Sequence, residues 1–263
     1  MSLRTWPGGQ VAEFRVCALI PTFDNPLTVR AVVERVRAQV ADVGVGDDGS
    51  AAAGREAVAE LGREGLAHTT RRAANGGKGA AVKTGFAFAR ELGYTHALQV
   101  DADGQHQLED IPRFLAAAQA RPEALVLGAP QYDQTAPLGR LIGRRITLFW
   151  TAVEVGRGVI TDPMCGFRVY PLAAALAVPR TGDRMDFDIE IAVRMAWMGV
   201  PIVNLPTQVR YLARDEGGVS HFHMLRDNLR IAWMHTRLAM TALLWRPLLR
   251  ALGRGPRSLP AAR

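Results

Sequence analysis

The sequence predicts an α/β fold built on a mostly parallel central sheet with helices on both faces. Apolar runs at Arg15–Ile20, Val43–Gly46, Ala97–Val100 and Ala124–Gly128 alternate with stretches of helical spacing, the pattern of repeated strand–helix–strand units. Two of the runs lead directly into aspartates, at Asp47 and Asp101, and the carboxyl ends of strands are where open α/β sheets place their ligands. The 263 residues, 48% hydrophobic and 22% charged, are enough for one large domain with a substantial core, and the composition is not that of a disordered chain.

The first strand, Arg15–Ile20, is expected to stop at Pro21. Thr28–Val40 follows as a helix, with Val29, Val32, Val33, Val36 and Val40 recurring on one face. Val43–Gly46 is a short strand ending in Asp47-Asp48-Gly49-Ser50, before an Ala-rich helix to about Arg63. A short segment around His68, the loop Asn75–Gly79 and a helix from Ala80 to Leu92 come next. The strand Ala97–Val100 runs into Asp101, and the helix Leu108–Ala120 and strand Ala124–Gly128 complete the alternation. In the less regular second half, Leu138–Val155 and Phe187–Met198 read as helices, with a strand near Val200–Val203. Residues 1–14 read as a tail, 15–220 as the main domain, 221–252 as an amphipathic helical segment and 253–263 as a disordered end.

The formal charge of +7 and a pI near 10.2 favour anionic partners: nucleotide phosphates, acidic lipid head groups or nucleic acid. Interleaved aromatic and basic motifs are missing, so nucleic acid is not the expected partner. Cys17 and Cys165 form no disulfide framework and no closely spaced zinc pattern, which points to a reducing cytoplasm. Met1–Glu13 lacks the apolar core of a signal peptide. The most apolar late run, Leu238–Trp245, is bracketed by Arg237 and Arg246 and is too short to span a bilayer.

Asp101-Ala102-Asp103-Gly104-Gln105 is the most informative segment. In an extended chain the two aspartates point the same way, and two carboxylates in one place repel unless a cation lies between them. Oxygen-only ligands suit Mg²⁺ or Mn²⁺, completed by water and diphosphate oxygens. Gln105 could add a neutral oxygen. The competing reading is a strand end that caps the helix near Leu108. An EF-hand loop is excluded, because Gln105 and His106 stand where it needs an Asp or Asn and a Gly.

Two glycine loops compete for phosphate. Gly44-Val-Gly46-Asp-Asp-Gly49 fits the G-x-G-x-x-G fingerprint, which would make the chain a nicotinamide-dependent oxidoreductase. Asp47 and Asp48 oppose that, standing where a pyrophosphate needs positive potential; carboxylates there suit the N–H groups of a base. Pro21-Thr22-Phe23-Asp24 could form the other wall of such a pocket. Asn75-Gly-Gly-Lys78-Gly79 lacks the Ser or Thr of a P-loop, but it brings a lysine to a helix start within reach of phosphate.

Taken in order, Ile20-Pro-Thr-Phe-Asp-Asn25, Asp47-Asp-Gly-Ser50, Asn75-Gly-Gly-Lys-Gly-Ala80, Asp101-Ala-Asp-Gly-Gln-His106, Cys165-Gly-Phe-Arg168, Phe187-Asp-Ile-Glu190, Val203-Asn-Leu-Pro206 and Val219-Ser-His221 resemble glycosyltransferase family 2. The similarity is to its dolichyl-phosphate-mannose-synthase-like branch, over roughly residues 15–235. It implies a GT-A fold and an inverting transfer of a hexose from a UDP- or GDP-sugar to a lipid-linked acceptor, a polyprenyl phosphate or a glycolipid hydroxyl, on the cytoplasmic side of the plasma membrane. By family role Pro21, Thr22, Asp24, Asp47, Asp48, Lys78, Asp101, Ala102 and Arg168 would hold the nucleotide-sugar, with Arg168 on a turn against phosphate. Asp101, Asp103 and Gln105 would hold Mg²⁺ or Mn²⁺, and Asp162 would face the donor sugar. The chain departs from the family in having Phe23-Asp24-Asn25 for Tyr-Asn-Glu and Cys165 for Ser.

A hydroxyl acceptor would need a general base, and the resemblance offers Asp188 and Glu190. On a helix i and i+2 diverge by about 200°, so only one should face the site. A lipid phosphate would need no base. In the C-terminal segment Arg226, Arg230 and Arg237 share a helical face, with Leu225, Leu229, Trp233 and Leu238 among their apolar neighbours. Such a helix lies in a membrane interface or packs on the core. His221, His223 and His235 read as hydrogen-bonding histidines rather than zinc ligands.

Overall fold

The computed structural model describes residues 13–132, 138–209 and 224–247, with 246 excepted. Elements follow in the order β1 (Val16–Thr22), α1 (Val29–Arg37), β2 (Val43–Asp47), α2 (Ala52–Arg63), β3 (His68–Arg71), α3 (Lys78–Glu91) and β4 (His96–Gln99). Then come α4 (Ile111–Ala120), β5 (Leu125–Tyr132), α5 (Leu138–Val155), β6 (Arg168–Pro171), α6 (Leu172–Leu176), α7 (Phe187–Trp197), β7 (Ile202–Val209) and α8 (Met224–Met240), which runs into a π-helical turn at Thr241–Trp245. Val219–His221, His223 and both tails beyond residues 13 and 247 lie outside the described residues.

The strands form a seven-stranded sheet in the order β3-β2-β1-β4-β6-β5-β7. β1, β2, β3 and β4 are mutually parallel, β5 is parallel to β7, and β6 runs antiparallel between β4 and β5. The expected mostly parallel sheet is therefore present. β1 shows why its sequence reads as an unbroken apolar run: Cys17 and Leu19 join one core cluster, Ala18 and Ile20 the other. Successive side chains point to opposite faces, and both faces are covered. α1, α2 and α4 cover one side, while α3, α7 and α8 cover the other.

Some boundaries differ from expectation. β1 continues through Pro21 to Thr22, paired with β2 at Pro21↔Gly46. Its pairing with β4 stops at Leu19↔Gln99, so the N–H that proline lacks falls beyond that ladder. β7 begins later and runs further than the Val200–Val203 segment suggested, because it pairs along the whole of β5 to Tyr132. Arg168, expected on a turn, opens β6 in the middle of the sheet. A charged first residue and a Pro at the end hide a strand of only four residues.

Candidate functional site

β4 ends at Gln99, and Asp101 lies just past its carboxyl end. Across from it, Lys78 is the first residue of α3 and Asp188 lies in the first turn of α7. These segments converge on the Lys78 ammonium, which donates to Asp101 Oδ2 at 2.9 Å and lies 2.8 Å from Oδ1 and 2.7 Å from Asp188 Oδ2. Gln99 Nε2 donates to the other Asp188 oxygen at 3.3 Å. The glycines of two motifs make this approach possible. A Cβ on Gly166 would overlap the Asp101 carboxylate, and one on Gly79 would overlap Phe187, so no larger residue fits at either crossing.

Burial alone would lower the Lys78 ammonium, but the charges of Asp101 and Asp188 outweigh it and hold it well above an ordinary lysine. Burial likewise opposes ionisation of Asp101, yet Lys78 and then His106 keep it far below the usual carboxylate range. Asp103 is shifted the other way, raised by burial and by the Asp101 charge. Its Oδ1 accepts the Gln105 N–H at 3.1 Å. His106 stacks on Phe167 with Nε2 3.5 Å from Asp101 Oδ2, and both of its ring nitrogens are buried without a hydrogen-bond partner. Among the described residues no group of three or more His, Cys, Asp or Glu could hold a metal. What fits is the manner in which Mg²⁺ or Mn²⁺ binds through one or two carboxylates with substrate oxygens completing the shell.

The wall on the β2 side is built differently from expectation. Asp47 and Asp48 are buried, at 1% and 2% exposure, and their oxygens are engaged within the chain. Asp47 accepts the Ser50 N–H at 2.8 Å and pairs with Arg71. Asp48 accepts the N–H groups of Gly76 and Gly77 at 3.0 and 2.6 Å and pairs with Arg72. It thereby fastens the glycine loop in front of Lys78. Asp24, at φ +49°, accepts the Ala51 N–H at 2.7 Å and so caps the start of α2. Those contacts overturn the dinucleotide reading: the N–H groups that a pyrophosphate would need after Gly46 are already held by carboxylates. Thr22 is buried and Pro21 half-buried beside them, and the Ala102 carbonyl accepts Thr28 Oγ1 at 2.7 Å. Arg71 and Arg72, which sequence reasoning missed, place partly exposed guanidinium groups over Asp47 and Asp48. Their only signal was an Arg pair at the end of a strand beside an acidic pair.

Three further candidate residues are buried and engaged within the chain. Arg168 is fully buried, with Nε donating to the Cys165 carbonyl at 2.6 Å and Nη2 to that of Pro163 at 2.7 Å. Its Nη1 serves the Asp188 carbonyl at 2.6 Å and Tyr170 Oη at 3.2 Å. Four of its five N–H donors are engaged within the chain and the side chain has no solvent exposure, so the residue braces the site from beneath. Asp162 is also fully buried, accepting the N–H groups of Met164 and Cys165 at 2.9 and 3.1 Å and Arg144 Nε at 2.6 Å, so it shapes the Cys165-Gly-Phe turn. Asn204 holds the segment just before it, accepting the Thr161 N–H and donating to the Val159 carbonyl, both at 3.0 Å. Glu190 points away from Lys78 and accepts Arg194 at 2.7 and 2.9 Å, the Gly182 N–H at 2.9 Å and Arg237 at 3.3 Å. As the helical angle required, Asp188 alone of the two reaches Lys78.

α8 packs on the core through Ile231, Met234 and Leu238. It is tied to α5 by His235 Nδ1 and Glu154 Oε1, 2.7 Å apart and buried. Its outer face is apolar: Leu225, Leu229, Trp233 and Met240 are exposed. α5 adds Ile142, Ile146, Phe149 and Trp150, again exposed along one stripe. Arg230 and Arg237 turn to Asp227 and Glu190 instead of joining that face.

The sequence model described as "Glycosyl transferase family 2" matches residues 17–170. Undecaprenyl-phosphate mannosyltransferase of Micrococcus luteus is 28% identical over 77% of this chain and 86% of its own length. Polyprenol monophosphomannose synthase of Mycolicibacterium smegmatis is 33% identical over 59% of this chain and 61% of its own. Among solved structures, glucosyl-3-phosphoglycerate synthase from Mycobacterium tuberculosis, in complex with Mn²⁺, uridine diphosphate and phosphoglyceric acid, superposes with a TM-score of 0.65 at 14% identity, covering 88% of this chain and 79% of that one. Mannosyl-3-phosphoglycerate synthase from Rubrobacter xylanophilus gives 0.61 at 18% identity, with 92% and 76% covered. The fold is GT-A, and with more than half of its length matched the chain belongs to glycosyl transferase family 2.

Proposed function

We propose that this glycosyltransferase moves a hexose, with mannose the first to test, from a UDP- or GDP-sugar to a polyprenyl phosphate at a membrane surface. The observation that carries the reading is the convergence of Asp101, Lys78 and Asp188 beside the Asp48-fastened glycine loop. Asp101 and Asp103 would hold a divalent cation, with Gln105 beside them. When bound, that cation supplies positive charge against the departing diphosphate. Lys78 adds a second positive charge on the same side, and the buried surroundings strengthen both.

The state of the carboxylates favours a phosphate acceptor over a hydroxyl one. Glu190 is committed to Arg194 and Arg237, and Asp188 to Lys78. A phosphate monoester is already an anionic nucleophile and asks no proton transfer of either carboxylate, including an Asp188 that has lost Lys78 to a bound nucleotide. The names of the Micrococcus and Mycolicibacterium relatives point the same way. Among the described residues no helix is long and apolar enough to cross a membrane, and the apolar stripes of α5 and α8 suit a peripheral seat in the lipid interface.

The test is transfer of radiolabel from GDP-mannose, and in parallel from UDP-glucose, to undecaprenyl phosphate in detergent with Mg²⁺ or Mn²⁺. Label that moves into the organic phase, and fails to move with EDTA or with Asp103→Ala, is the expected result. Transfer to a glycolipid hydroxyl with none to the phosphate would overturn the acceptor assignment.

A further inference from the structure

The Lys78 ammonium stands where a cation is wanted. It lies 2.8 Å from Asp101 Oδ1, the oxygen that has no hydrogen-bond partner, and 2.7 Å from Asp188 Oδ2. A divalent ion on Asp101 would therefore meet a positive charge already in place, and like charges a few ångströms apart repel strongly in a partly desolvated site. The protein also offers that ion few anchors of its own, since no three-ligand cluster exists among the described residues. A nucleoside diphosphate changes both conditions, because its oxygens can complete the metal shell and draw the lysine off the carboxylates. Lys78 is suited to that exchange: its side chain is 15% exposed, and it begins α3 directly after Gly76 and Gly77, whose N–H groups Asp48 holds in place.

We infer that Lys78 is a placeholder cation, occupying the metal-binding carboxylate of Asp101 in the nucleotide-free protein and releasing it to the divalent ion only when a nucleoside diphosphate binds. The inference rests on the metal site proposed above and adds a coupling between metal and nucleotide. Because linkage is reciprocal, whatever factor the nucleotide contributes to metal affinity, the metal contributes to nucleotide affinity. Lys78 is a positioning residue in this scheme, and its removal affects the two ligands in opposite directions. Metal alone should bind better without it, and the nucleotide should lose a phosphate contact.

The experiment is titration of Mn²⁺ followed by electron paramagnetic resonance of the free ion, on the full chain, with no nucleotide, with GDP and with UDP. Wild type, Lys78→Met and Lys78→Gln are compared, after circular dichroism and thermal melts have established that each variant folds. Wild type should bind Mn²⁺ weakly alone and at least about tenfold more tightly with whichever nucleotide it recognises, within the usual range of coupling energies. Both Lys78 variants should bind Mn²⁺ alone more tightly than wild type and show a smaller nucleotide effect. Folded variants that bind Mn²⁺ alone no better than wild type would overturn the placeholder role while leaving the metal site standing. Wild type that binds no Mn²⁺ even with nucleotide would overturn the metal site itself, and the placeholder with it.

Discussion

Arg168 Nη1 donates to the backbone carbonyl of Asp188 at 2.6 Å from a position with no solvent exposure. The guanidinium thus connects β6 to the first turn of α7, and through it the sheet interior sets where the Asp188 carboxylate stands. Arg168→Met would leave the buried carbonyls of Pro163 and Cys165 without this donor and remove the tie to Asp188. The expected loss is about 2–5 kcal/mol of stability, read as a lowered urea midpoint. Arg168→Lys should rescue little, since an ammonium cannot reproduce the planar fork. If Arg168 served phosphate instead, stability would be unchanged and only the donor KM would move.

Asp103 makes a pH prediction for the metal-free protein. Its carboxyl is raised from the ordinary value of 3.8, first by burial and then by Asp101. A raised acid binds its proton more tightly folded than unfolded. Its contribution to stability is therefore full below the ordinary value and is lost as pH rises through the raised one. Asp103→Asn removes that loss. In EDTA its melting temperature should exceed that of wild type at pH 7, and the two should converge toward pH 4. A variant that melts below wild type at pH 7 would show that Asp103 is not strained by its surroundings.

The carboxylate pair and the glycine loop were legible because strand ends, glycines and paired acids have spacings with physical meaning. The sheet was legible for the same reason: β1 is buried on both faces and reads as an unbroken apolar run. What stayed hidden were partners distant in sequence. Nothing local in Phe187-Asp-Ile-Glu190 says that Glu190 meets Arg237, or that Arg168 enters the sheet beneath Asp188. A motif arginine two residues after a glycine looks like a phosphate contact until its burial is known. Asp162 looks exposed for the same reason, as burial arises from packing of segments that the sequence does not place side by side.

Gly166 tests how closely the two halves of the site are built against each other. Its missing side chain leaves the space that the Asp101 carboxylate fills. Gly166→Ala should push Asp101 away from Lys78 and cost roughly 10²-fold in turnover, the scale expected for misplacing a group by about 1 Å. Nucleotide-dependent Mn²⁺ binding should weaken in parallel. Turnover within twofold of wild type would mean that the Cys165–Arg168 turn can yield without disturbing Asp101.

The apolar stripes of α5 and α8 lead to the last prediction. Ile146, Phe149 and Trp233 are exposed at 55, 62 and 65%, and single exposed apolar residues need no explanation, whereas two adjacent stripes do. α5 and α8 are locked side by side by the buried His235–Glu154 contact, so their outer faces form one surface. Seating it in a lipid interface would bury that area and keep the site near an acceptor whose chain never leaves the bilayer. Phe149→Glu combined with Trp233→Glu should abolish flotation with anionic vesicles containing undecaprenyl phosphate. Trp233 also lines a cavity with Gly76 of the glycine loop and Arg237, so Phe149→Glu alone is measured beside the double variant, and nucleotide binding in solution should be untouched in that single variant. Transfer to a short, water-soluble prenyl phosphate should persist while transfer to the vesicle-borne acceptor falls. Equal loss on both acceptors would place these residues in the acceptor site itself, and unchanged flotation would remove the membrane from the proposal.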